Sequence, residues 1–261
     1  MSMIFESHAH YEDEAFNEDR EELLTSLPQK GIEHVINVGS TVDTCHKTVD
    51  LVAKYPNIYG ALGIHPSEIR DVKSEDLQWL EEETKNNSKI VAIGEIGLDY
   101  YWDKDNKKEQ WAMFSEQIEI AKRLELPIIV HSRDAAKDTY DCMVANNAKE
   151  CGGVIHCFSY PIEEAKKYLD MGFYIGIGGV VTFKNAVKLK EVAEYVPLDR
   201  ILLETDCPYL APVPYRGKRN SSLYLPEIAK EIAAIKGVDY EELLEVTFDN
   251  ACKMYRIGQK G

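Results

Sequence analysis

Near its N-terminus the chain contains a short apolar stretch, Ile4-Phe5-Glu6-Ser7-His8-Ala9-His10, in which two histidines follow a segment typical of a buried strand. In an extended strand, successive side chains alternate between the two faces, so His8 and His10 project to the same side. Two imidazoles placed in this way can bind one metal ion. A histidine on a strand can also be an ordinary core residue, and the rest of the chain decides between the two interpretations.

Seven further apolar, β-branched segments follow, with segments of helical periodicity between them. Strands that alternate with helices pair in parallel through right-handed crossovers. Eight such units, in a single domain spanning residues 1–261, fit a closed α/β (β/α)8 TIM barrel better than an open doubly wound sheet, which is the alternative fold. The predicted strands cover residues 3–8, 34–39, 58–64, 90–96, 127–131, 152–157, 173–178 and 200–205. The predicted helices cover residues 17–30, 42–55, 75–87, 107–125, 134–147, 161–171, 185–195, 222–236 and 239–255.

In a barrel, inward and outward positions alternate along each strand, and active sites lie at the C-terminal strand ends. Residues that can bind metal occur at or just beyond five of the predicted strand ends, always on the inward side. Core histidines without a shared role would not be expected to choose one end of the barrel repeatedly. The candidate metal ligands are His8, His10, Glu95, His131, His156 and Asp206.

The same alternation makes a prediction about the residues that precede these ligands. On the first strand, Ile4 and Glu6 are expected to share the inward face with His8. On the fourth strand, Ile93 is expected to share it with Glu95. Glu6 would then lie one layer below the ligands.

Four imidazoles and two carboxylates suit Zn, Mn, Fe, Co or Ni, while Mg is possible but less natural. Because six ligands exceed one tetrahedral site, the set predicts two divalent metal ions that share a bridging carboxylate. Glu95 is the central candidate for that bridge, although a carboxylate at this place could instead cap a helix. Two ions about 3.5–4 Å apart can ionise a shared water and stabilise the entering and leaving oxygens of a displacement.

The charge balance is acidic, with 45 Asp and Glu against 30 Lys and Arg. This composition disfavours nonspecific binding to a polyanion, so any nucleic-acid substrate would need locally concentrated positive charge. The one dense basic cluster, Arg216, Lys218 and Arg219, follows the eighth predicted strand. It is either a phosphate clamp that binds substrate or a solvated loop tip.

Three further candidates near the strand ends carry weaker signals. His65 ends the third strand on the inward side, where it could contact substrate or cap a helix. Arg133 could bind an anionic substrate or form a salt bridge. The aromatic run 100–102 could stack on nucleic-acid bases or pack over the barrel mouth.

The six cysteines have no C-x-x-C spacing, which predicts neither a zinc knuckle nor a disulfide framework. They are typical of reduced core residues in a cytosolic protein. Neither an export signal nor an apolar run of membrane-spanning length is present in the sequence. We therefore expect a cytoplasmic monomer without a membrane partner.

In order along the chain, these motifs resemble the TatD-type metal-dependent hydrolases, a branch of the amidohydrolase-like barrels. The resemblance extends from Phe5 to about Arg256. It is carried by residues 7–10 (SHAH), 63–66 (GIHP), 94–100 (GEIGLDY), 127–133 (PIIVHSR), 156–159 (HCFS), 182–185 (TFKN) and 204–210 (ETDCPYL).

The resemblance implies a (β/α)8 barrel that hydrolyses phosphodiesters, with members described as deoxyribonucleases acting on strand ends. It also implies that one ion is bound by His8, His10, Glu95 and Asp206, and the other by Glu95, His131 and His156. The chain departs from the family pattern at Glu6, where Asp is usual. It also departs at residues 220–222, which read Asn-Ser-Ser in place of an acidic or proline-containing continuation.

The leading functional hypothesis is a phosphodiesterase that acts on DNA ends, with a bridging hydroxide as nucleophile, Glu95 as the bridge, and Asp206 as ligand and general base. A second hypothesis is a hydrolase of amides, esters or lactones that uses the same ions. A third is a binding or scaffold barrel with structural metals. The basic cluster favours a phosphate substrate, and the surplus of ligands over a closed tetrahedral site argues against a structural role.

Overall fold

The computed structural model describes residues 3–258, which form eight parallel strands in a nearly closed barrel surrounded by nine α-helices. The strands are hydrogen-bonded in sequence order, so the predicted (β/α)8 TIM barrel is confirmed. The strands are β1 (Ile4–Ala9), β2 (Ile32–Val38), β3 (Ile58–Leu62), β4 (Ile90–Asp99), β5 (Ile128–Arg133), β6 (Gly153–Ile155), β7 (Tyr174–Ile177) and β8 (Ile201–Leu203). The helices are α1 (Arg20–Ser26), α2 (Val42–Lys54), α3 (Ser74–Asn86), α4 (Lys107–Arg123), α5 (Ala136–Ala145), α6 (Ile162–Asp170), α7 (Val187–Tyr195), α8 (Leu225–Lys236) and α9 (Tyr240–Tyr255).

The barrel closes between the ends of β1 and β8. Ala9 forms a parallel bridge with Cys207, and the His10 N–H donates to the Cys207 carbonyl at 2.8 Å. The Asp206 N–H donates to the His8 carbonyl at 3.0 Å. An open doubly wound sheet would leave its first and last strands apart. Closure therefore places the two histidines of β1 beside the acidic segment that follows β8.

Two apolar layers hold the barrel together. The larger layer lies between the strands and the surrounding helices. A smaller cluster fills the N-terminal end of the barrel, where α9 covers it with Met254 and Tyr255 packed near Phe5. The opposite end of the barrel interior is polar, and the candidate ligands lie there.

All six cysteines are free, as the sequence predicts. None of the helices within residues 3–258 is long and apolar enough to cross a membrane. The cytoplasmic location stays a prediction.

The expectation that Ile4 and Glu6 share a face with His8 is wrong. Ile4 pairs with Ile32 and Glu6 pairs with Val35, and the register shifts both before and after Glu6. Paired residues of neighbouring parallel strands face the same side, and Ile32 and Val35 belong to the outer apolar layer. Glu6 therefore faces outward, because an irregular register breaks the simple alternation.

A similar irregularity corrects the expectation for β4. Ile93 pairs with Ile128 and Ile96 pairs with Val130, so three residues of β4 span two residues of β5. Ile93 and Ile96 both belong to the outer layer. A bulge of this kind changes the direction of the side chains beside it, and here it leaves Glu95 pointing into the barrel.

Side chains complete the seam between β1 and β8 below the point of closure. The Glu6 carboxylate accepts hydrogen bonds from the Thr205 N–H at 2.9 Å, from the Thr205 hydroxyl at 2.7 Å and from the His8 N–H at 3.2 Å. Burial raises the pKa of Glu6 to about 8, against hydrogen bonds from Thr205 that lower it. The seam thus accommodates Glu6, whose side chain is longer than that of the Asp usual at this position in the family pattern. The Ser7 hydroxyl adds a bond to the Leu203 carbonyl at 2.8 Å.

Replacing Tyr255 by Phe tests the contribution of the seam to stability. The Tyr255 hydroxyl donates to the buried Ser7 carbonyl at 2.8 Å, and its ring stacks on Phe5. Because the ring remains while the carbonyl loses its donor, we expect the free energy of unfolding to fall by about 1–2 kcal/mol. Urea unfolding measures this change, with Tyr195→Phe on the exposed surface of α7 as the control. Equal unfolding midpoints for the two variants would contradict the prediction.

Candidate metal centre

All six candidate ligands gather at the C-terminal end of the barrel, where five of them line a cavity of about 780 Å³. His8 lies beneath this cavity and is 1% exposed. His8, Glu95 and His131 lie on β1, β4 and β5, while His10, His156 and Asp206 follow β1, β6 and β8 within three residues. The sequence prediction that these residues converge is therefore matched by the geometry, while their role as ligands stays a prediction.

Glycines allow the strands to approach closely enough for this arrangement. Gly97 has a φ of +146°, and a Cβ added there would lie 1.9 Å from the His131 carbonyl oxygen. A side chain at this position would push β4 away from β5. Gly176 on β7 makes room for Glu204, whose Oε2 would lie 2.3 Å from an added Cβ. Both sites therefore depend on the absence of a side chain.

Glu95 lies at the centre of the cluster. Its Oε2 is 3.5 Å from His8 Nε2 and 3.8 Å from His10 Nε2. Its Oε1 is 2.8 Å from His131 Nδ1 and 3.0 Å from His156 Nε2. Each carboxylate oxygen thus faces a different pair of imidazoles, which is the arrangement expected of a carboxylate between two cation sites.

The first set of donor atoms surrounds Oε2 of Glu95 and includes pairs at the spacing of metal ligands. Metal–ligand distances of 2.0–2.1 Å place tetrahedral ligands about 3.4 Å apart. His8 Nε2 and His10 Nε2 are 3.1 Å apart, and Asp206 Oδ1 lies 3.8 and 3.4 Å from them. His8, His10 and Glu95 form one group of donor atoms within 4.8 Å of one another, and the chemistry of these donors suits a divalent cation. Asp206 contacts the two imidazoles but does not join that compact group.

The second set is less regular. Three groups of residues within 3–258 have donor atoms that all lie within 4.8 Å of one another, and His131 and His156 enter different groups. His131 joins His65 and Glu95, whereas His156 joins His8 and Glu204. Both histidines nevertheless contact the same oxygen of Glu95. A second cation at this oxygen would require the two imidazoles to converge further.

Three carboxylates that the sequence reasoning missed lie behind the histidines. Glu12 Oε1 is 3.5 Å from His10 Nδ1, Asp99 Oδ2 is 3.0 Å from His131 Nε2, and Glu204 Oε1 is 3.6 Å from His156 Nδ1. Of the three, Asp99 is hydrogen-bonded to its imidazole, and a carboxylate placed in this way orients a ligating histidine and increases its basicity. His10 Nδ1 is instead hydrogen-bonded to the Val38 carbonyl at 2.8 Å. The alternation along β8 gave a signal for Glu204, because it lies two residues before Asp206 on the same inward face.

The electrostatics favour ionised carboxylates. Burial alone would raise the pKa of Glu95, but the imidazoles around it, His156 first, hold it well below its usual range. Burial would likewise raise the pKa of Asp206, but the hydrogen bond from His10 outweighs it and the pKa is lowered. Burial and the neighbouring His156 lower the pKa of His8, which favours the neutral imidazole. Anionic oxygens and a neutral imidazole are the forms that bind a divalent cation.

Two predicted substrate-binding residues line the cavity. His65 Nε2 is 3.7 Å from Glu95 Oε1, and burial lowers the pKa of His65 to about 3. The same imidazole accepts the Ser67 N–H through Nδ1, so His65 also caps the short helix that follows it. The Arg133 guanidinium lies over the Tyr101 ring, 3.8 Å from its centroid. The salt bridge considered for Arg133 is not formed within residues 3–258.

The basic cluster after β8 does not reach this cavity. Arg219 donates to both carboxylate oxygens of Asp19, at 2.7 and 2.6 Å, and Arg216 lies over the Phe183 ring at 4.1 Å. Neither these two residues nor Lys218 is among the described residues that line the cavity. The geometry therefore gives no support to a phosphate clamp in this loop, because Arg219 is already paired with Asp19 and none of the three residues lines the cavity.

Known proteins place the chain in a family. Residues 5–256 match the family model described as TatD related DNase. A metal-dependent hydrolase of Bacillus subtilis, YabD, is 42% identical over 98% of this chain and 100% of its own length. A protein of Pectobacterium parmentieri named 3'-5' ssDNA/RNA exonuclease TatD is 32% identical over 93% of this chain and 95% of its own. The crystal structure of the TatD homologue YjjV from Escherichia coli superposes with a TM-score of 0.92, at 27% identity over 97% of this chain and 98% of that one. The chain therefore belongs to the TatD family of metal-dependent hydrolases.

Proposed function

We propose that this hydrolase is a phosphodiesterase that removes nucleotides from accessible ends of single-stranded DNA and binds two divalent ions, with Glu95 between them. The observation that carries the proposal is the position of Glu95, whose two oxygens face separate pairs of imidazoles. The exonuclease name of the Pectobacterium relative supports the substrate class. Imidazole and carboxylate donors favour Zn, Mn, Fe, Co or Ni, with Mg possible.

The ions would supply a nucleophile from water at neutral pH and would stabilise negative charge on the entering and leaving oxygens. The protein's own residues position and receive protons around them. Asp206, with its lowered pKa, is held by its backbone N–H against the His8 carbonyl and accepts the proton of the attacking water. Asp99 fixes the orientation of His131 at 3.0 Å, and the Val38 carbonyl fixes that of His10 at 2.8 Å.

Arg133 is the one Lys or Arg among the described residues that line the cavity. It has no ion-pair partner within residues 3–258 and is free to contact a phosphate. Glu12, Asp13 and Glu68 line the same cavity and oppose the approach of further phosphates. A cavity with one cation and several acids suits the end of a single strand better than the interior of a duplex.

We also propose that the protein acts as a monomer, as expected from the sequence. All six candidate ligands, the three carboxylates behind the histidines and Arg133 belong to one chain. No residue from a second copy is needed to complete the cluster. Size-exclusion chromatography of the active protein, with activity measured across the peak, tests this expectation.

The direct experiment is a product-resolved assay on metal-reconstituted protein, with single-stranded and duplex DNA labelled at either end. We expect stepwise shortening of single strands and slower attack on blunt duplexes. Labels at the 5' and 3' ends distinguish the polarity of digestion. If the protein cleaves lactones, amides or carboxylic esters but no phosphodiester, the nuclease proposal is wrong.

A hydrolase of small amides, esters or lactones is the second candidate. The acidic lining of the cavity favours it, because a neutral substrate would meet no repulsion from Glu12, Asp13 or Glu68. The same panel of substrates decides between the two candidates. The free Arg133 favours an anionic substrate and is the reason to test phosphodiesters first.

Replacing Arg133 by Ala tests the anion contact. If Arg133 binds a phosphate next to the reacting bond, its loss should raise KM for an oligonucleotide by about 10-fold or more, the range expected of a hydrogen bond to a charged group. The kcat value should change little, because the metal cluster is left in place. Arg123→Ala, on α4 and paired with Glu81, is the matched control. Unchanged KM for the Arg133 variant would remove this residue from the binding site.

A further inference from the structure

The rim of the cavity presents two aromatic rings to solvent directly after β4. Trp102 is 68% exposed and Tyr101 is 50% exposed. Their rings are perpendicular, with centroids 5.0 Å apart. The other two tryptophans, Trp79 and Trp111, are half-buried and pack against the core. Exposure of a large aromatic side chain at the mouth of a cavity is characteristic of a contact with a ligand.

The rings are held by an ordered turn. Asp99 Oδ1 accepts the N–H groups of Tyr101 and Trp102 at 2.8 and 2.9 Å. Gln110 Nε2 donates to the carbonyls of Asp99 and Asp103 at 3.0 and 3.1 Å, which fixes both sides of the turn. The backbone that carries the two rings is therefore held in place, which lowers the entropy lost when a ligand stacks on them.

A cation lies beside the rings. The Arg133 guanidinium is 3.8 Å from the Tyr101 ring centroid and 5.6 Å from that of Trp102. Both Trp102 and Arg133 line the cavity that contains Glu95. A planar aromatic surface next to an unpaired guanidinium matches a nucleotide, which has a flat base and an anionic phosphate.

Asp99 connects this rim to the metal centre. Its Oδ1 holds the aromatic turn, while its Oδ2 lies 3.0 Å from His131 Nε2. In the register of the two strands, Asp99 of β4 also lies beside Arg133 of β5. One carboxylate therefore fixes the distance between the rings and the reacting centre, so a bound nucleotide would have a defined register.

We propose that Tyr101, Trp102 and Arg133 form a nucleotide subsite, in which the base next to the reacting phosphodiester stacks on Trp102 while its phosphate contacts Arg133. The inference rests on the proposed function and extends it to substrate selection. Bases in a duplex are already stacked and paired, so this subsite accepts a base only from a single strand. Stacking alone does not distinguish one base from another, because every base has a flat aromatic face.

The test compares binding of a fluorescein-labelled oligothymidylate with binding of the same oligomer carrying abasic sugars, by fluorescence anisotropy in a chelating buffer. Loss of one base–aromatic stack is worth about 1–3 kcal/mol, or about 5- to 150-fold in Kd. The Trp102→Ala variant should bind the oligothymidylate more weakly than wild type by this factor. Its Kd for the abasic oligomer should equal that of wild type. Trp102→Phe should recover most of the affinity, and the remote Trp79→Phe should behave as wild type.

Cleavage of the same oligomers after metal reconstitution separates the possible failures. The Trp102→Ala variant should show a raised KM for the base-containing oligomer with nearly unchanged kcat. If it binds and cleaves both oligomers as wild type does, the subsite is wrong while the nuclease assignment stands. If wild type cleaves neither oligomer, the proposed function fails, and the anisotropy difference between wild type and Trp102→Ala alone decides whether the rings bind bases.

Discussion

Replacing Glu95 by Gln is expected to lower kcat by about 10²-fold or more, a loss of about 3 kcal/mol in stabilisation of the transition state. The amide keeps the size of the side chain but removes its negative charge, and its nitrogen cannot bind a cation. Because one oxygen faces His8 and His10 and the other faces His131 and His156, both cation sites should be weakened together. Turnover should therefore fall even when free metal is raised.

The measurement is kcat in a saturating metal buffer, accompanied by the metal content of the purified variant. Glu191→Gln, on the exposed side of α7, makes the same chemical change away from the cluster and serves as the control. Circular dichroism of both variants separates loss of function from loss of fold. Near-normal turnover of the Glu95 variant in excess metal would show that this carboxylate does not join two ions.

The fold could be predicted from the sequence because its signal is local and repeated. Eight apolar segments alternate with helical segments, and each strand was placed within a few residues of its position. β4 extends further than predicted, to Asp99, because its pairing with β5 continues to Arg133. The first helix is shorter than predicted, covering Arg20–Ser26, since Pro28 begins a separate short helix.

The direction of side chains was less predictable than the strands that carry them. Glu6 was expected to point inward, but the register shifts in β1 turn it outward to Thr205. Such shifts depend on how neighbouring strands pair, which a single strand's sequence does not encode. His131 and His156 converge on Glu95 despite this, because β5 and β6 pair in unbroken register.

Pairing between distant segments also explains the outcome for the basic cluster. Arg219 forms its ion pair with Asp19, which is separated from it by 200 positions in the chain. Nothing in the local sequence around Arg219 indicates this partner. Arg133, by contrast, is the last residue of β5, two residues after His131, so its place at the cavity was predictable from the end of that strand.

The number of ions bound by the cluster is the second large effect that the geometry predicts. His8, His10 and Asp206 lie on the Oε2 side of Glu95, whereas His131 and His156 lie on the Oε1 side. Reconstituted wild type should therefore hold more than one equivalent of divalent metal. Removing an imidazole from one side should release one ion while the other ion remains.

His131→Ala and His10→Ala test this expectation in opposite directions. His131→Ala should retain about one equivalent, because His8, His10, Glu95 and Asp206 remain in place around the other ion. His10→Ala should release the ion of the Oε2 side and retain the one held by Glu95, His131 and His156. Elemental analysis after gel filtration gives the stoichiometry, and titration calorimetry gives the affinities; His46→Ala, on α2 against Trp79, is the control. If wild type saturates at one equivalent and His131→Ala keeps that ion with unchanged affinity, the centre holds a single ion and His131 is not one of its ligands.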